Sequence, residues 1–425
     1  MTIKDIYQLF LECKLVSTDT RAIETNSLFF ALKGENFNGN TFASKALEEG
    51  AKYCVIDEKK YSIDNKTILV DNVLETLQNL ATYHRTQLNI PIIALTGSNG
   101  KTTTKELINS VLSTSFTTSA TLGNLNNHIG VPLTLLQMDA NTEIGIVEMG
   151  ANHPGEIAFL STIALPHYGL ITNFGKAHLE GFGSIEGVIN AKSELYDHLK
   201  RHDKLIFVNS DDSIQVEQLD SYESTYSFGS SVEANTRVEF LGAQPNVSVR
   251  FNNISINSQL TGSYNFNNIA IAIAVGSYFN VSDLNIKKAI ENYIPSNNRS
   301  QIINKGTNTI ILDAYNANPT SMKAALNNLK DLDSSNKIAI LGDMFELGTD
   351  SKKEHQFIAD FANSINLQTV YLVGEHFAKT NSNGVRCSSF DALKEQLLKH
   401  PIKNHTILIK GSRGMALERT LNFIK

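Results

Sequence analysis

Residues Thr96 to Glu106 read TGSNGKTTTKE and follow directly on an apolar run, Ile92, Ile93, Ala94 and Leu95. A strand, a glycine loop, a lysine and a hydroxyl cluster, in that order, are the parts of a phosphate cradle. Gly97 and Gly100 let the backbone around Ser98 and Asn99 turn its N–H groups onto an anion, Lys101 adds a point charge, and Thr102, with Thr103 beside it, offers a hydroxyl to a magnesium ion. Leu107, Ile108, Val111 and Leu112 share one face, which predicts a helix whose N-terminal dipole points into the loop. The loop is a shortened variant of the common GxxxxGK[ST] form.

Other residues carry chemistry less openly. Glu148 closes the apolar run Ile144 to Val147, and open parallel sheets bind ligands at the carboxyl ends of their strands. A bare buried carboxylate is costly, so Glu148 is expected to hold the magnesium of a bound nucleotide. Lys192 falls inside the apolar stripe of Ile185, Val188, Ile189, Leu195, Tyr196 and Leu199. A lysine there is desolvated, which lowers its pKa and leaves more neutral amine. Such an amine can act as a base, pair with Glu148, or add carbon dioxide to become a carbamate, an anionic metal ligand; a snorkelling stem covering apolar surface is the plain alternative. His178 sits among glycines in the loop after a strand ending at Thr172, where it can meet metal or phosphate. Asn318 and Pro319 read as a helix N-cap and first turn, which leaves Asp313 and Tyr315 without a structural explanation. Lys410–Gly411–Ser412–Arg413–Gly414, between a strand and a helix, is a basic turn suited to an anionic substrate.

The elements that position these residues alternate. At 425 residues the chain is long enough for two to four domains. Residues 1–88 read as a small α/β unit with strands at Ser27 to Leu32, Tyr53 to Ile56 and Ile68 to Val70 and a long helix from Val73 to Leu88, on which His84 is a face residue. Residues 89–295 alternate strands and helices as a parallel sheet covered on both faces, with short antiparallel strands expected between Tyr222 and Thr261. Pro295 and the polar run after it mark a boundary and a hinge, and residues 296–425 restart the alternation as a doubly wound domain that lacks GxGxxG after its first strand. The net charge of −6 argues against a general nucleic-acid binder. Three scattered cysteines without metal spacing suit reduced thiols, and no apolar stretch approaches the length of a membrane span. These features lead to the expectation of a cytoplasmic monomer.

Taken together, the segments resemble the Mur ligases over nearly the whole chain. They include TDTR at Thr18 to Arg21, LFFALKGENFNG at Leu28 to Gly39, the phosphate loop, GNLNNHIGVPLTLL at Gly123 to Leu136 and VEMGANHPGEI at Val147 to Ile157. AHLEGFGS at Ala177 to Ser184, AKSELY at Ala191 to Tyr196, YNFNN at Tyr264 to Asn268, DAYNANPTSM at Asp313 to Met322, LGDMFELG at Leu341 to Gly348 and KGSRGM at Lys410 to Met415 continue the match. The resemblance implies three domains that hold UDP, hold ATP, and close over both. It implies amide ligation of D-alanyl-D-alanine to UDP-N-acetylmuramoyl-tripeptide through an acyl phosphate. Other ligases of the same fold, adding an amino acid or glutamate, and a non-catalytic ATP-binding protein are the alternatives. By the same resemblance, Lys101 is the phosphate lysine, and Asn268, Arg299 and Asp313 contact the nucleotide. Thr102 and Glu148 bind one of two magnesium ions, His178 binds a second, and Lys192 is carbamylated. Thr20, Arg21 and the Lys33–Gly34 turn match the uridine-sugar site. Asn38 stands where Asp is usual before Gly39, and Tyr264 where His is common.

Overall fold

Four short strands, Leu15–Ser17, Ser27–Phe30, Tyr53–Ile56 and Thr67–Leu69, pair in that order as a parallel sheet at the start of the chain. The structure, a computed structural model, describes residues 1–424. A helix at Ile3–Leu11 begins on a capping box between Thr2 and Asp5 and buries Ile6, Tyr7 and Phe10. It packs against the helix Val73–Leu88, which starts at an Asn72 cap and ends on left-handed Asn89.

The central domain is built on seven strands in the order 236–237, 225–229, 205–209, 168–171, 92–96, 144–148, 118–120, all parallel. The chain runs from Ile92–Thr96 outward to one edge and then returns to build the other side from Tyr168–Ile171. The phosphate loop leaves the sheet at that reversal, where two neighbouring loops part and make a crevice. Thr225–Gly229 belongs to this parallel sheet, so the antiparallel extension starts at Glu239, later than the alternation from Tyr222 suggests. Its three strands, Glu239–Gly242, Ser248–Phe251 and Ile254–Asn257, pack on helices Asn265–Tyr278 and Asp283–Asn292 through one apolar core.

The last domain has six strands in the order 301–305, 308–313, 406–410, 337–342, 369–373, 385–387. Gln301–Lys305 is an antiparallel edge strand; its alternating exposure gives it no continuous apolar run, which hid it in the sequence. The other strands are parallel, with helices Pro319–Asp331, Ser351–Ser364 and Phe390–Lys399 between them. Among the described residues, no helix is long and apolar enough to cross a membrane, and all three cysteines are free.

The first two domains are joined by buried polar contacts. His84 Nε2 meets Met138 O at 2.8 Å and its Nδ1 meets Tyr7 Oη at 3.3 Å, while burial lowers its pKa. Arg85, 5 % exposed, donates through Nε to Ala164 O at 3.1 Å and through Nη2 to Leu165 O at 3.2 Å and His167 Nδ1 at 3.0 Å. It thus satisfies the end of the helix Glu156–Ala164 with a positive charge where the helix dipole is negative. Burial, with Arg85 and Lys204 nearby, pushes His167 down to about 4, so a neutral imidazole faces the guanidinium. Arg85→Ala leaves two carbonyls without donors, and a loss of about 2 kcal/mol is expected. It should appear as a lower urea midpoint, with Arg85→Lys recovering part of the difference.

Candidate active site

The phosphate loop is held open by its own neighbours. Ser98 N donates to Asn173 O at 3.0 Å, Ser98 Oγ donates to Gly175 O at 2.9 Å, and Thr172 Oγ1 and Asn173 Nδ2 donate to Asn99 O at 2.6 and 2.9 Å. Gly97 has φ +142°, and a Cβ there would lie 2.1 Å from Thr172 Oγ1 and 3.0 Å from the Thr172 backbone nitrogen. Gly100 has φ +80° and would drive a Cβ to 2.5 Å from Asn268 Oδ1. Lys101 opens the helix Lys101–Leu112, its Nζ donating to Gly97 O at 2.7 Å. Burial lowers its pKa against the pull of Glu148, with Arg299 lowering it further. Thr102 and Thr103 are buried in the same first turn.

Glu148 ends its strand in register with Leu95, just before the loop, as the sequence predicts. It is 1 % exposed; Oε1 accepts from Asn126 Nδ2 at 2.8 Å, whereas Oε2 is buried without a donor. An orphaned carboxylate oxygen in that position fits a cation. Among the described residues, no three His, Cys, Asp or Glu side chains converge as a metal cluster. One carboxylate with a threonine hydroxyl nevertheless suits magnesium, which takes few protein ligands and completes its shell with phosphate oxygens and water. Asn126 orients Glu148 and went unassigned in the sequence, although it lies in the GNLNNHIGVP motif.

Lys192 is 1 % exposed on the helix Ile185–Arg201. Its Nζ donates to Ala151 O at 3.1 Å and lies 4.9 Å from the centre of the Phe182 ring. It forms no ion pair with Glu148, and the snorkelling alternative is excluded by its burial. Desolvation, with Lys101 nearby, pulls its pKa down to about 7 despite the opposing pull of Glu156 and Glu194. His178 also meets Phe182, its ring 6.4 Å from that of the phenylalanine. It stands in the left-handed region at φ 52°, its Nδ1 paired with Glu346 Oε2 from the last domain. The same loop is gripped again where Lys176 Nζ meets Glu354 Oε1 at 2.6 Å and Lys176 N donates to Thr320 Oγ1 at 3.0 Å.

Between the central and last domains lies a cavity of about 350 Å³ lined by Asn99, Gly100, Thr103, Asn268, Arg299, Asp313 and Tyr315 among others. Asn268 accepts from Thr104 Oγ1 at 3.0 Å and donates to Asn265 Oδ1 at 2.8 Å. The Arg299 guanidinium stacks 3.5 Å from the centre of the Tyr315 ring, and its Nε is buried without a partner. Asp313 Oδ2 takes Lys410 Nζ at 2.6 Å and Oδ1 accepts from Ser300 N at 3.2 Å, so both of its oxygens are engaged. Asn318, besides capping its helix, donates to Asn99 Oδ1 at 2.7 Å and ties the last domain to the phosphate loop. The cap alone is what the sequence conveys.

In the first domain, Thr20 and Arg21 form part of a single turn, Thr20–Ala22, and Lys33 and Gly34 lie on a hairpin with Phe37–Asn38. Arg21 is bound to Asp19, with its side chain 86 % exposed, and Lys33 is paired with Asp57 at 2.8 Å and Glu58 at 3.1 Å. None of these residues joins the phosphate site.

Comparison with known proteins places this geometry. Residues 12–90 match the family described as Mur ligase family, catalytic domain; residues 95–276 match Mur ligase middle domain; and residues 298–413 match Mur ligase, glutamate ligase domain. A Bacillus subtilis protein named UDP-N-acetylmuramoyl-tripeptide--D-alanyl-D-alanine ligase is 35% identical over 95% of this chain and 91% of its own length. An Escherichia coli protein of the same name is 32% identical over 96% and 93%. The crystal structure of MurF from Acinetobacter baumannii superposes with a TM-score of 0.85 at 30% identity, covering 99% of this chain and 97% of the other. MurF ligase from Thermotoga maritima in complex with ADP superposes at 0.84 and 25% identity, covering 97% of each.

The loop geometry makes Gly97 intolerant of any side chain. Gly97→Ala is expected to abolish ATP binding, measured by calorimetry, while leaving the circular dichroism spectrum near that of the parent.

Proposed function

Because this chain belongs to the Mur ligase family, we propose that it joins D-alanyl-D-alanine to the terminal carboxylate of UDP-N-acetylmuramoyl-tripeptide, with ATP as the source of activation. Relatives of this name match the chain almost end to end. The observation that carries the chemistry is the unpartnered Oε2 of Glu148, close enough to Lys101 of the phosphate loop for the two charges to interact. We take residues 1–88 as the UDP-substrate domain, 89–295 as the ATP domain and 296–425 as the closing domain, with Thr20, Arg21, Lys33 and Gly34 facing the uridine diphosphate.

A carboxylate is a poor electrophile towards an amine in water. Its oxygen therefore attacks the γ-phosphorus of ATP, the bond to ADP breaks, and an acyl phosphate forms. The amino group of the dipeptide attacks the acyl carbon, the nitrogen gives up a proton, and the C–O bond to phosphate breaks as the amide forms, releasing inorganic phosphate. The amides of Ser98 and Asn99 are already spent on Asn173, so Lys101, the Gly100 amide and the N-terminus of the helix Lys101–Leu112 hold the β- and γ-phosphates in line, which is positional and electrostatic catalysis. Thr102 and Glu148 would hold one magnesium ion, and His178 with a Lys192 carbamate a second, the ions supplying charge screening for the transferring phosphoryl group. Asn268, Arg299 and Asp313 wall the nucleotide, and the contacts between the last domain and residues 174–183 exclude water from the acyl phosphate.

The carbamate reading of Lys192 rests on an amine that is buried, has no carboxylate bonded to it and has a pKa near 7. Carbon dioxide adds only to the neutral amine, and that form dominates above the lowered pKa. At limiting bicarbonate, ligation should therefore rise with pH through about 7, not near the ordinary lysine value. A carbon-13 carbonyl resonance should appear with labelled bicarbonate and vanish in Lys192→Ala, whose activity formate should partly restore; a parent without the resonance would refute the carbamate.

The reaction itself is tested by phosphate release with ATP, magnesium, the UDP-linked tripeptide and D-alanyl-D-alanine, each omitted in turn. Release should require all of them and yield a product with the mass of the pentapeptide. Turnover that ignores the dipeptide would refute the reading.

A further inference from the structure

The basic turn Lys410–Gly411–Ser412–Arg413–Gly414 is only partly absorbed by the roles above. Lys410 is committed to Asp313 and to Asn316 O, and Ser412 Oγ accepts from Phe345 N at 2.9 Å. Arg413 remains. Its side chain is 62% exposed and meets one carboxylate, Glu418, at 3.4 Å, which leaves most of its five donors open.

Arg413 borders a second cavity of about 400 Å³, distinct from the nucleotide cavity, whose other walls include Thr102, Asn124, Asn298, Arg299 and Tyr315. No carboxylate lines this space. Two guanidiniums border the ring of Tyr315, Arg299 at 3.5 Å and Arg413 at 5.7 Å from its centre. Arg299 also lines the nucleotide cavity and so serves the phosphate side, whereas Arg413 lines only this one. The cavity therefore extends from Thr102, in the phosphate-binding turn, to an outer guanidinium.

The proposed dipeptide substrate has matching ends. Its amine must reach the acyl carbon beside the phosphate loop, and its carboxylate lies two residues away, a span of about 7 Å. We infer that Arg413 receives the terminal carboxylate of the incoming dipeptide and thereby measures its length. A single D-alanine, about half as long, places its carboxylate short of Arg413 when its amine is in position. The inference rests on the ligase reading above.

The test compares D-alanyl-D-alanine with D-alanyl-D-alaninamide, which keeps the amine and lacks the charge. The parent should prefer the acid by roughly tenfold or more in kcat/KM, the scale of a hydrogen-bonded charge pair. In Arg413→Ala that preference should collapse towards one, through a raised KM for the dipeptide, with the KM for ATP little changed; Arg413→Lys should retain part of it. The ratio is taken within each variant, so a partly misfolded preparation does not alter it. A parent indifferent to the amide, or an Arg413→Ala that keeps the preference, would overturn the inference. So would a raised KM for ATP with the preference intact, which would make Arg413 a phosphate contact. No product from D-alanyl-D-alanine in the parent would instead defeat the ligase reading itself.

Discussion

Charge buried without its full complement of partners is the constraint from which this active site follows. Glu148 keeps one oxygen without a donor, Arg299 keeps an unpartnered Nε, and Lys192 has a carbonyl but no carboxylate. Each such group costs free energy on the order of 1–3 kcal/mol while it waits. All three lie close enough to Lys101 of the phosphate loop to interact with its charge. The sheet makes the arrangement possible: adjacent parallel strands end together, so Glu148 and the phosphate loop emerge side by side from register partners Leu95 and Glu148. The apolar strands below are rigid enough to hold unsatisfied charge at their ends without collapse.

The second requirement, exclusion of water, is spread over two domains. Asn99 in the phosphate loop is held by Asn318, Lys176 by Glu354, and His178 by Glu346, so the last domain grips the loop that carries the histidine. Lys176–Glu354 is the best buried of these ion pairs on its acidic side, where Glu354 is 5 % exposed. Lys176 is 38% exposed, so Glu354 is the partner that would be left as an uncompensated buried charge if the contact broke. The same contacts that align the domains therefore align His178 with the group around Phe182.

Much of this was legible in the sequence, and for identifiable reasons. Strands buried on both faces, such as Ile92–Thr96 and Ile144–Glu148, are uninterrupted apolar runs, and Lys192 announced itself by breaking an apolar stripe. Short or half-exposed elements were hidden: Leu15–Ser17 is three residues long, and Gln301–Lys305 alternates without a buried face. Contacts between domains were hidden for a different reason. Asn126, Glu346 and Asn318 lie in recognisable motifs, yet their partners Glu148, His178 and Asn99 are 22, 168 and 219 residues distant, and no local pattern encodes such a pairing.

The two departures from the family pattern have local causes of the same physical kind. Asn38 uses its Oδ1 to cap Asn40 N at 3.0 Å, which an aspartate would do as well, but its Nδ2 donates to Glu58 Oε1 at 2.8 Å. An aspartate there would lose that donor and set a second negative charge against Glu58, which already shares Lys33 with Asp57. Asn38 and Glu58 are thus a matched pair, and the amide is what the acid next to it requires. Tyr264 reaches Ser300 Oγ at 2.8 Å with a phenol that burial holds in its neutral form. Ser300 in turn donates its amide to Asp313, the residue that anchors Lys410. A side chain shorter than tyrosine at 264 would break this chain of contacts at its first link, so the larger residue connects the helix Asn265–Tyr278 to the start of the last domain.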